Sequence, residues 1–318
     1  MQPSELEPLR QHIGTRVIGQ RRLVDSMLIC LLSDGHLLVE GLPGLAKTTA
    51  VQSLSEGIEG DFQRIQFTPD LLPSDLVGTD IYRHEKGEFE FRAGPVFHNV
   101  LLADEVNRAP AKVQSALLES MAERQVTVGQ TTYPLPRLFM VLATQNPIEQ
   151  EGTYHLPEAQ LDRFLMHVSV EYPTHSEELQ ILELDNQRQK APLAPPRSVL
   201  PQAAIFAMRD TVAGMFLDAK LNRYIVDLVQ ATRNAGAYDP DLARWCRFGA
   251  SPRASIALAR CARARAWLDD DRYVTPQHIR QVAPEILRHR VLLSFEAEAE
   301  GITTDDFIRR LLELVAIP

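Results

Sequence analysis

The feature that most constrains the fold is a stretch of eight residues near the start of the chain, Gly41-Leu42-Pro43-Gly44-Leu45-Ala46-Lys47-Thr48. It follows a short apolar run with β-strand character, 36–40, and precedes a segment, 49–56, whose apolar residues recur at helical spacing. A loop between a buried strand and a helix N-terminus is the context that a phosphate-binding loop requires. The alternative is an ordinary strand-to-helix turn that contains a Lys-Thr pair by chance.

In a phosphate-binding loop, backbone N–H groups and the positive end of the helix dipole face the phosphates. Lys47 is therefore predicted to reach the β- and γ-phosphate oxygens of a nucleotide, and the Thr48 hydroxyl to bind Mg²⁺. Ala46 stands where the motif G-x-x-x-x-G-K-[ST] has its second glycine, so we predict a negative φ there, where a methyl group costs little. The other predicted nucleotide-binding residues of the loop are Gly41, Pro43, Gly44, Leu45 and Thr49.

A pair of carboxylates directly follows another apolar strand candidate. Residues 100–103 lead into Asp104 and Glu105, which places both side chains at the carboxyl edge of the sheet. There Asp104 would bind the hydration shell of Mg²⁺, and Glu105 would orient and polarise the attacking water. The alternative is a buried strand that ends in a solvated acidic turn.

A polar amide ends a further strand candidate, 139–143, which runs into Thr144-Gln145-Asn146-Pro147. Asn146 would hold the nucleophilic water or the γ-phosphate, and it is a candidate catalytic residue. An asparagine before a proline is also a common turn former, so the residues alone leave both interpretations open.

Five apolar strand candidates separated by helices predict a doubly wound α/β domain over about 1–172, with a parallel five-stranded sheet. After 172 the pattern is almost wholly helical, which predicts a second, all-helical domain over 173–318, joined by a proline-rich connection at 191–201. A chain of 318 residues is long enough for two domains, each with its own hydrophobic core.

Two predicted hairpins interrupt the α/β pattern, at about 78–94 and 124–136. The first hairpin interrupts a helix that is predicted to start within 68–76. Its charges are mixed in sign, so it is either a solvated edge or a moving contact element.

Three weaker signals concern the periphery of the predicted site. Val17 and Ile18 precede a helix and would lie over an adenine ring, or form only a loop. Arg163 ends the segment 156–163 just before the last strand. Arg253 lies in the first turn of a helix that Ser251 caps, where a cation gains nothing from the helix dipole and suggests an anionic partner. The alternative for Arg253 is an ordinary surface ion pair.

Composition excludes several classes of protein. The net charge of −9 argues against a bulk basic surface for nucleic acid. The three cysteines lack C-x-x-C spacing and lie in apolar helical contexts, which favours buried thiols, and the nine histidines form no zinc motif. No apolar run approaches a membrane span, and the N-terminus is neither basic nor apolar, so we expect a cytoplasmic protein.

Taken together and in order, GLPGLAKT, LLADEVNRAP, ATQNP, LPEAQLDRF and GASPRA closely resemble the MoxR family of AAA+ ATPases, of the helix-2-insert clade. The resemblance spans the chain from Val17 to Arg290. It implies that Lys47 and Thr48 are Walker A residues, and it accounts for Ala46, since loops of this family commonly have alanine there.

The same resemblance implies the roles of the remaining candidates. Asp104 and Glu105 are the Walker B pair, Asn146 is sensor 1, Arg163 is an arginine finger that acts on a neighbouring subunit, and Arg253 is sensor 2 in a helical lid. The two hairpins match the helix-2 insert and the pre-sensor-1 insert. The resemblance also implies a hexameric ring, a chaperone-like action on protein clients, and partners with a von Willebrand factor A domain.

We therefore expect Mg²⁺-dependent hydrolysis of ATP to ADP and phosphate, coupled to movement of the lid against the core and used to remodel or activate a protein client. We further expect that Arg253 fills the chain's own site through the lid, while Arg163 serves a neighbour. One alternative is a nucleic-acid-dependent motor, which stimulation by single-stranded DNA would reveal. Another is a nucleotide-gated assembly module with little turnover, which would need neither Glu105 nor Asn146.

Overall fold

A five-stranded parallel sheet organises the N-terminal half of the protein, in the strand order β2-β5-β8-β1-β9. The computed structural model describes residues 1–42, 44–85, 87–147, 153–154, 156–190, 196 and 199–318. The predicted Pro43 contact and most of the predicted connection 191–201 lie outside the described residues. The strands of the sheet are β1 (Leu37–Gly41), β2 (Phe62–Gln66), β5 (Val100–Asp104), β8 (Met140–Gln145) and β9 (Met166–Val170).

The strand register brings the polar strand ends to one edge. Glu40 pairs with Gln145 across β1 and β8, and Gln66 pairs with Asp104 across β2 and β5. Because all five strands are parallel, the phosphate-binding loop, the two carboxylates and the amide that follow them meet at the same edge. This confirms the predicted doubly wound fold class.

Helices cover both faces of the sheet and make up most of the C-terminal half. Those before β9 are α1 (Glu7–Gly14), α2 (Arg21–Leu32), α3 (Lys47–Glu56), α4 (Pro73–Val77), α5 (Ala111–Glu123) and α6 (Glu158–Leu161). Those after β9 are α7 (His175–Lys190), α8 (Gln202–Ala213), α9 (Ala219–Arg233), α10 (Pro240–Trp245), α11 (Pro252–Leu268), α12 (Pro276–Leu287), α13 (Phe295–Ala299) and α14 (Thr304–Leu314). Among them lies one short antiparallel strand pair, β10 (Cys246–Phe248) with β11 (Leu292–Leu293), which the helical periodicity does not predict. No helix in the described ranges is long and apolar enough to cross a membrane.

The hydrophobic interior is divided by sheet face and not by domain. Alternate strand residues such as Leu37 and Leu38 point to opposite faces and belong to separate clusters of buried side chains. One cluster runs without a break from the sheet through α2 into the helices of the C-terminal half. This cluster is therefore shared by the two halves of the chain.

Helix α2 is the reason for this continuity. Every residue from Met27 to Leu32 is buried, so the helix is apolar all round and packs on β1 and β9 on one side and on α8 and α11 on the other. Each of the two halves thus covers apolar surface that the other half leaves open.

The first hairpin consists of β3 (Gly78–Arg83) and β4 (Glu88–Ala93), and the second of β6 (Gln125–Val128) and β7 (Thr131–Pro134). The helix predicted within 68–76 is only the short α4, and it ends where Gly78 takes a φ of +96°. A side chain at Gly78 would lie 2.3 Å from the carbonyl oxygen of Arg92, so the chain can turn there only with glycine.

Aromatic side chains join the two hairpins and also mark the tip of the first. The rings of Phe91 and Tyr133 stack with their centroids 4.0 Å apart, which ties the first hairpin to the second. Nearer the tip, on the same strand face, Tyr82 and Phe89 lie exposed to solvent, with 44% and 72% of their surface accessible. The base of the hairpin is therefore packed, while its tip presents apolar surface.

A matched pair of substitutions separates these two roles. Phe91→Ala should lower the free energy of unfolding by about 1–3 kcal/mol, because it removes the stack on Tyr133. Phe89→Ala should change it by less than about 0.5 kcal/mol, since that ring packs on little besides Tyr82. Chemical denaturation of both variants checks this, and equal effects would contradict the assignment of one ring to packing and the other to the surface.

Candidate nucleotide site

A cleft of about 320 Å³ at the carboxyl edge of the sheet brings three sequence-distant segments together. It is lined by Gly44, Leu45, Ala46, Lys47, Thr48, Thr49, Asp104, Glu105 and Asn146. We call it the phosphate cleft. The structure thus gathers the loop, both carboxylates and the amide that the sequence analysis singled out, while Gly41 ends β1 directly before the loop.

The conformation of Ala46 differs from the expectation. Its φ is +55° and its ψ is 19°, in the left-handed region, and it occupies the N-cap position of α3. This conformation costs a non-glycine residue roughly 1–2 kcal/mol. The loop needs it to turn from β1 into α3, and the packing of the Ala46 methyl group against the larger apolar cluster offsets part of the cost.

Lys47 is held by the loop that carries it. Its Nζ donates a hydrogen bond to the carbonyl oxygen of Gly41. Burial lowers the pKa of the Lys47 ammonium, and the charges of Asp104, Glu105 and Glu40 act in the opposite direction. The side chain therefore lies across the loop as the one cation among the lining residues of the phosphate cleft.

Asp104 is buried and both of its carboxylate oxygens have partners. Thr144 Oγ1 donates to Oδ1 at 2.5 Å, and the Arg64 guanidinium donates to Oδ2 from Nε at 3.1 Å and from Nη2 at 2.7 Å. These bonds fix the carboxylate beside Lys47 and Thr48. They also mean that a direct metal–carboxylate bond would have to displace a partner, whereas contact through a metal-bound water would not.

Glu105 directly follows β5 in a left-handed conformation, with φ +57° and ψ 51°. Its backbone N–H donates to Thr144 Oγ1 at 2.9 Å, so a single hydroxyl orders both carboxylate residues. Its side-chain Oε2 accepts a hydrogen bond from Gln66 Nε2 at 2.6 Å and lies 3.1 Å from Arg108 Nε. The Glu105 carboxylate is therefore restrained at the rim of the cleft.

The polar residues that order the carboxylates were missed by the sequence analysis. Arg64 and Gln66 alternate on β2, so both face Asp104 and Glu105 across the strand pair, and this period-2 pattern on an edge strand is a usable signal. Thr144 follows the apolar part of β8 directly, where a buried hydroxyl can satisfy two neighbours. No local pattern marks Arg108.

The amide of Asn146 lies in the phosphate cleft as expected. Asn146 is 6% exposed, and its carbonyl oxygen accepts a hydrogen bond from Asn107 Nδ2 at 3.5 Å. The expectation that this residue is more than a turn former is thus consistent with its burial.

A magnesium ion fits the oxygen atoms of this cleft. Mg²⁺ usually binds proteins through one or two side-chain oxygens, several waters and the phosphates of a nucleotide. Thr48 and Asp104 supply two such oxygens, and the described residues contain no cluster of three or more histidine, cysteine, aspartate or glutamate residues that would form an all-protein metal cage.

A second cavity, of about 240 Å³, adjoins the loop and has both apolar and polar lining residues. Ile18 lines it together with Gly44, Leu45, Ala46 and Thr49, while its far wall comes from the segment of α7 with Ile181, Leu184, Asp185 and Arg188. Val17 is not part of this wall. It is buried at 3% exposure and lines a neighbouring cleft, so of the predicted pair only Ile18 borders the loop cavity.

The two candidate arginines lie together, in a different place from the phosphate cleft. Both line a pocket of about 360 Å³ that we call the arginine pocket. Its charged residues are Arg124, Arg163, Arg253, Arg260, Arg290, Asp34 and Asp162. Neither Arg163 nor Arg253 is among the residues that line the phosphate cleft, so the structure does not place Arg253 in the chain's own cleft, where it was expected.

The position of Arg253 follows from a buried polar network. Ser251 Oγ caps α11 by accepting from the Arg253 N–H, and it donates to Asp162 Oδ2 at 2.7 Å. Arg290 Nε donates to the other oxygen of Asp162 at 2.6 Å. The start of α11 is therefore fixed beside the end of α6, next to Arg163.

Neither arginine forms an ion pair with a residue that the structure describes, although a surface ion pair was the alternative for Arg253. Arg163 Nη1 donates to the carbonyl oxygen of Leu118 at 2.7 Å, while its neighbour Asp162 is already engaged by Ser251 and Arg290. Arg253 is exposed and makes no ion pair with any residue that the structure describes. Its charge remains available to an outside anion.

Comparison with known proteins agrees with this arrangement. A profile of the ATPase family associated with various cellular activities (AAA) matches residues 36–166, and a profile of the AAA lid domain matches residues 244–311. Chaperone MoxR1 of Mycobacterium tuberculosis is 47% identical over 95% of this chain and 79% of its own length. Protein MoxR of Methylorubrum extorquens is 32% identical over 97% of this chain and 94% of its own length. The chain belongs to the MoxR family of AAA+ ATPases.

Two further relatives extend the comparison of this MoxR-family chain. Protein YeaC of Bacillus subtilis is 44% identical over 97% of this chain and 93% of its own length. A crystal structure of a protein from Cytophaga hutchinsonii superimposes with a TM-score of 0.92, at 46% identity, over 99% of this chain and 96% of that one. The AAA+ membership implies nucleotide binding, and the AAA lid profile falls within the helical C-terminal half.

The hydroxyl of Thr144 offers a direct test of how the carboxylates are held. Thr144→Val keeps the shape but removes the donor to Asp104 and the acceptor for the Glu105 N–H, so the free energy of unfolding should fall by about 1–3 kcal/mol. The control is Thr127→Val, whose exposed hydroxyl bonds only Thr132, and which should change stability by less than about 0.5 kcal/mol. Urea denaturation of both measures the difference, and a Thr144→Val protein as stable as the control would contradict the role of the hydroxyl.

Proposed function

We propose that this MoxR-family protein hydrolyses ATP to ADP and phosphate with Mg²⁺, in an oligomeric ring, and uses the cycle to remodel or activate a protein client. The observation that carries the proposal is the meeting of Lys47, Asp104, Glu105 and Asn146 in one cleft. A site that only bound nucleotide would need the lysine but neither Glu105 nor Asn146.

Each residue of the phosphate cleft has a distinct part in phosphoryl transfer, which depends mainly on positioning and on stabilisation of charge. Loop N–H groups and Lys47 hold the β- and γ-phosphates. Thr48 and Asp104 would hold Mg²⁺ and its waters, and the ion would neutralise charge on the phosphates. Glu105 orients the attacking water and Asn146 holds that water or the γ-phosphate.

The restraint of Glu105 implies a low basal rate. Its carboxylate is bound by Gln66 and lies against Arg108, so it must leave these partners before it polarises a water. Turnover would then rise when a neighbouring subunit, a partner or a client changes the position of β2. The adenine would lie in the cavity between Ile18 and α7.

Charge supports an active site that is shared between subunits. The phosphate cleft is lined by one lysine and two carboxylates that Arg64 and Arg108 already contact, and phosphates would add further negative charge. The arginine pocket has five arginines against two aspartates. We propose that Arg163 and Arg253 of one subunit face the γ-phosphate bound by its neighbour, where such cations contribute on the order of 10³-fold or more to the rate.

The client and the assembly rest on the relatives. Proteins of this superfamily are typically oligomeric, and one relative is named a chaperone, which supports a ring with a protein client. We propose a hexamer in the cytoplasm, a partner with a von Willebrand factor A domain, and client contact through the exposed tip of the first hairpin at Tyr82 and Phe89.

Two substitutions separate nucleotide binding from turnover. Lys47→Ala should abolish nucleotide binding in the phosphate cleft, while Glu105→Gln should keep that binding within a few fold and lose turnover on the order of 10²-fold or more, because the carboxylate acts chiefly in the transition state. Equilibrium binding of a fluorescent ATP analogue and steady-state phosphate release measure the two properties. Wild-type turnover by Glu105→Gln would refute its role, and strong stimulation by single-stranded DNA would favour a nucleic-acid motor.

A further inference from the structure

A second arginine-rich cavity opens beside the arginine pocket and takes no part in the proposed hydrolysis. It has a volume of about 510 Å³ and lies between the end of α2 and the helices α8 and α11. Its charged lining residues are Arg137, Arg209, Arg260, Arg263, Asp34 and Asp210. We call it the α8 cavity. It shares Asp34 and Arg260 with the arginine pocket, so the two form one basic surface.

The positive charge of the α8 cavity is not neutralised from within. Asp34 is already divided between two arginines, since Oδ1 lies 2.6 Å from Arg209 Nη1 and 2.8 Å from Arg124 Nη2. Arg137 and Arg260 form no ion pair with any residue in the described parts of the chain. Such a concentration of arginine is unusual in a chain with a net charge of −9.

Packing holds these guanidinium groups in place. The Arg137 guanidinium lies 4.0 Å from the centroid of the Phe206 ring, and that of Arg209 lies 5.6 Å from it. Arg209 Nε donates to the Leu31 carbonyl oxygen at 2.8 Å, and Arg263 Nε donates to that of Met215 at 3.1 Å. The arginines are therefore arranged in advance and lose little freedom when an anion binds.

The electrostatic cost of this arrangement is visible at Arg209. Burial lowers the pKa of its guanidinium, and the charges of Arg124 and Arg137 lower it further, against the effect of Asp34. An anion in the cavity would relieve this repulsion. Guanidinium groups bind carboxylate and phosphate in the same bidentate way, but several unneutralised cations around one space favour a ligand with several charges.

We propose that the α8 cavity binds an oligophosphate, a chain of two or more linked phosphates. Phosphate, and not a nucleobase, is recognised, because the cationic groups of the lining are guanidinium donors and the Arg137 guanidinium lies 4.0 Å from the centroid of the Phe206 ring, where a base would otherwise stack. The volume accommodates a ligand of nucleotide size. The source of the phosphates is either an inorganic oligophosphate or the phosphate chain of a nucleotide, and both have the same chemistry at this site.

Isothermal titration of inorganic tripolyphosphate tests the site in the full-length Lys47→Ala protein, in which the phosphate cleft no longer competes. Tripolyphosphate should bind, and Arg137→Gln should weaken it on the order of tenfold by removing a charged donor. Ala213→Glu should weaken it similarly, since it places a carboxylate in the lining without removing a contact. Arg309→Gln, which changes an exposed arginine elsewhere, should have no effect.

Each other outcome overturns the proposal. If tripolyphosphate does not bind the Lys47→Ala protein, the proposal is wrong. It is also wrong if Arg253→Gln weakens the binding and Arg137→Gln does not, because the ligand would then occupy the arginine pocket. ATP and GTP should bind the Lys47→Ala protein as tightly as tripolyphosphate. Much tighter binding of ATP than of tripolyphosphate would show that a base is recognised and would contradict recognition by phosphate alone. None of these readouts depends on ATP hydrolysis.

Discussion

The carboxylate of Asp162 joins the two halves of the protein, and the placement of Arg253 beside Arg163 depends on it. One oxygen accepts from Arg290 and the other from the Ser251 hydroxyl that caps α11. Arg290 is buried and also donates to the carbonyl oxygens of Phe164 and Ile286, so its polar hydrogens have partners in the interior. Breaking a buried pair of this kind typically costs about 3–5 kcal/mol, because it leaves a charge without compensation. Asp162 therefore fixes α11, and with it Arg253, against the core.

This constraint changes how the nucleotide cycle can move the protein. The helical half shares one hydrophobic cluster with the sheet through α2, and Arg288 adds a hydrogen bond to the carbonyl oxygen of His167 in β9. A lid that is held by both apolar packing and the ion pair of the buried Arg290 with Asp162 is not free to swing over its own phosphate cleft. In our account the movable contact is the one between subunits, where the arginine pocket of one copy meets the phosphates of the next. The conformational change of the proposed cycle would then occur at the contact between neighbouring subunits.

The sequence predicts the parts of this structure that depend on local pattern. Strand and helix positions in the core agree closely, because apolar periodicity and the phosphate-loop motif are local signals. The left-handed Ala46, the Thr144 hydroxyl shared by two carboxylate residues, and the wall that α7 gives to the loop cavity were missed, since each depends on contacts between distant segments. Arg253 illustrates the limit best. Its helix and its N-cap were predicted correctly. The position of that helix in the molecule depends on contacts with Asp162 and Arg290, which are distant in sequence.

The central claim is that Arg253 serves the active site of a neighbouring copy, and mixed oligomers test it most directly. Arg253→Ala subunits keep an intact phosphate cleft, and Glu105→Gln subunits keep an intact arginine pocket. Oligomers verified to contain both should regain part of the ATPase activity that each lacks alone. Mixtures of Lys47→Ala with Glu105→Gln provide the matched control, because every phosphate cleft in them is defective and no activity can return. If the Arg253→Ala mixtures remain as inactive as that control, Arg253 acts within its own subunit and the account is wrong.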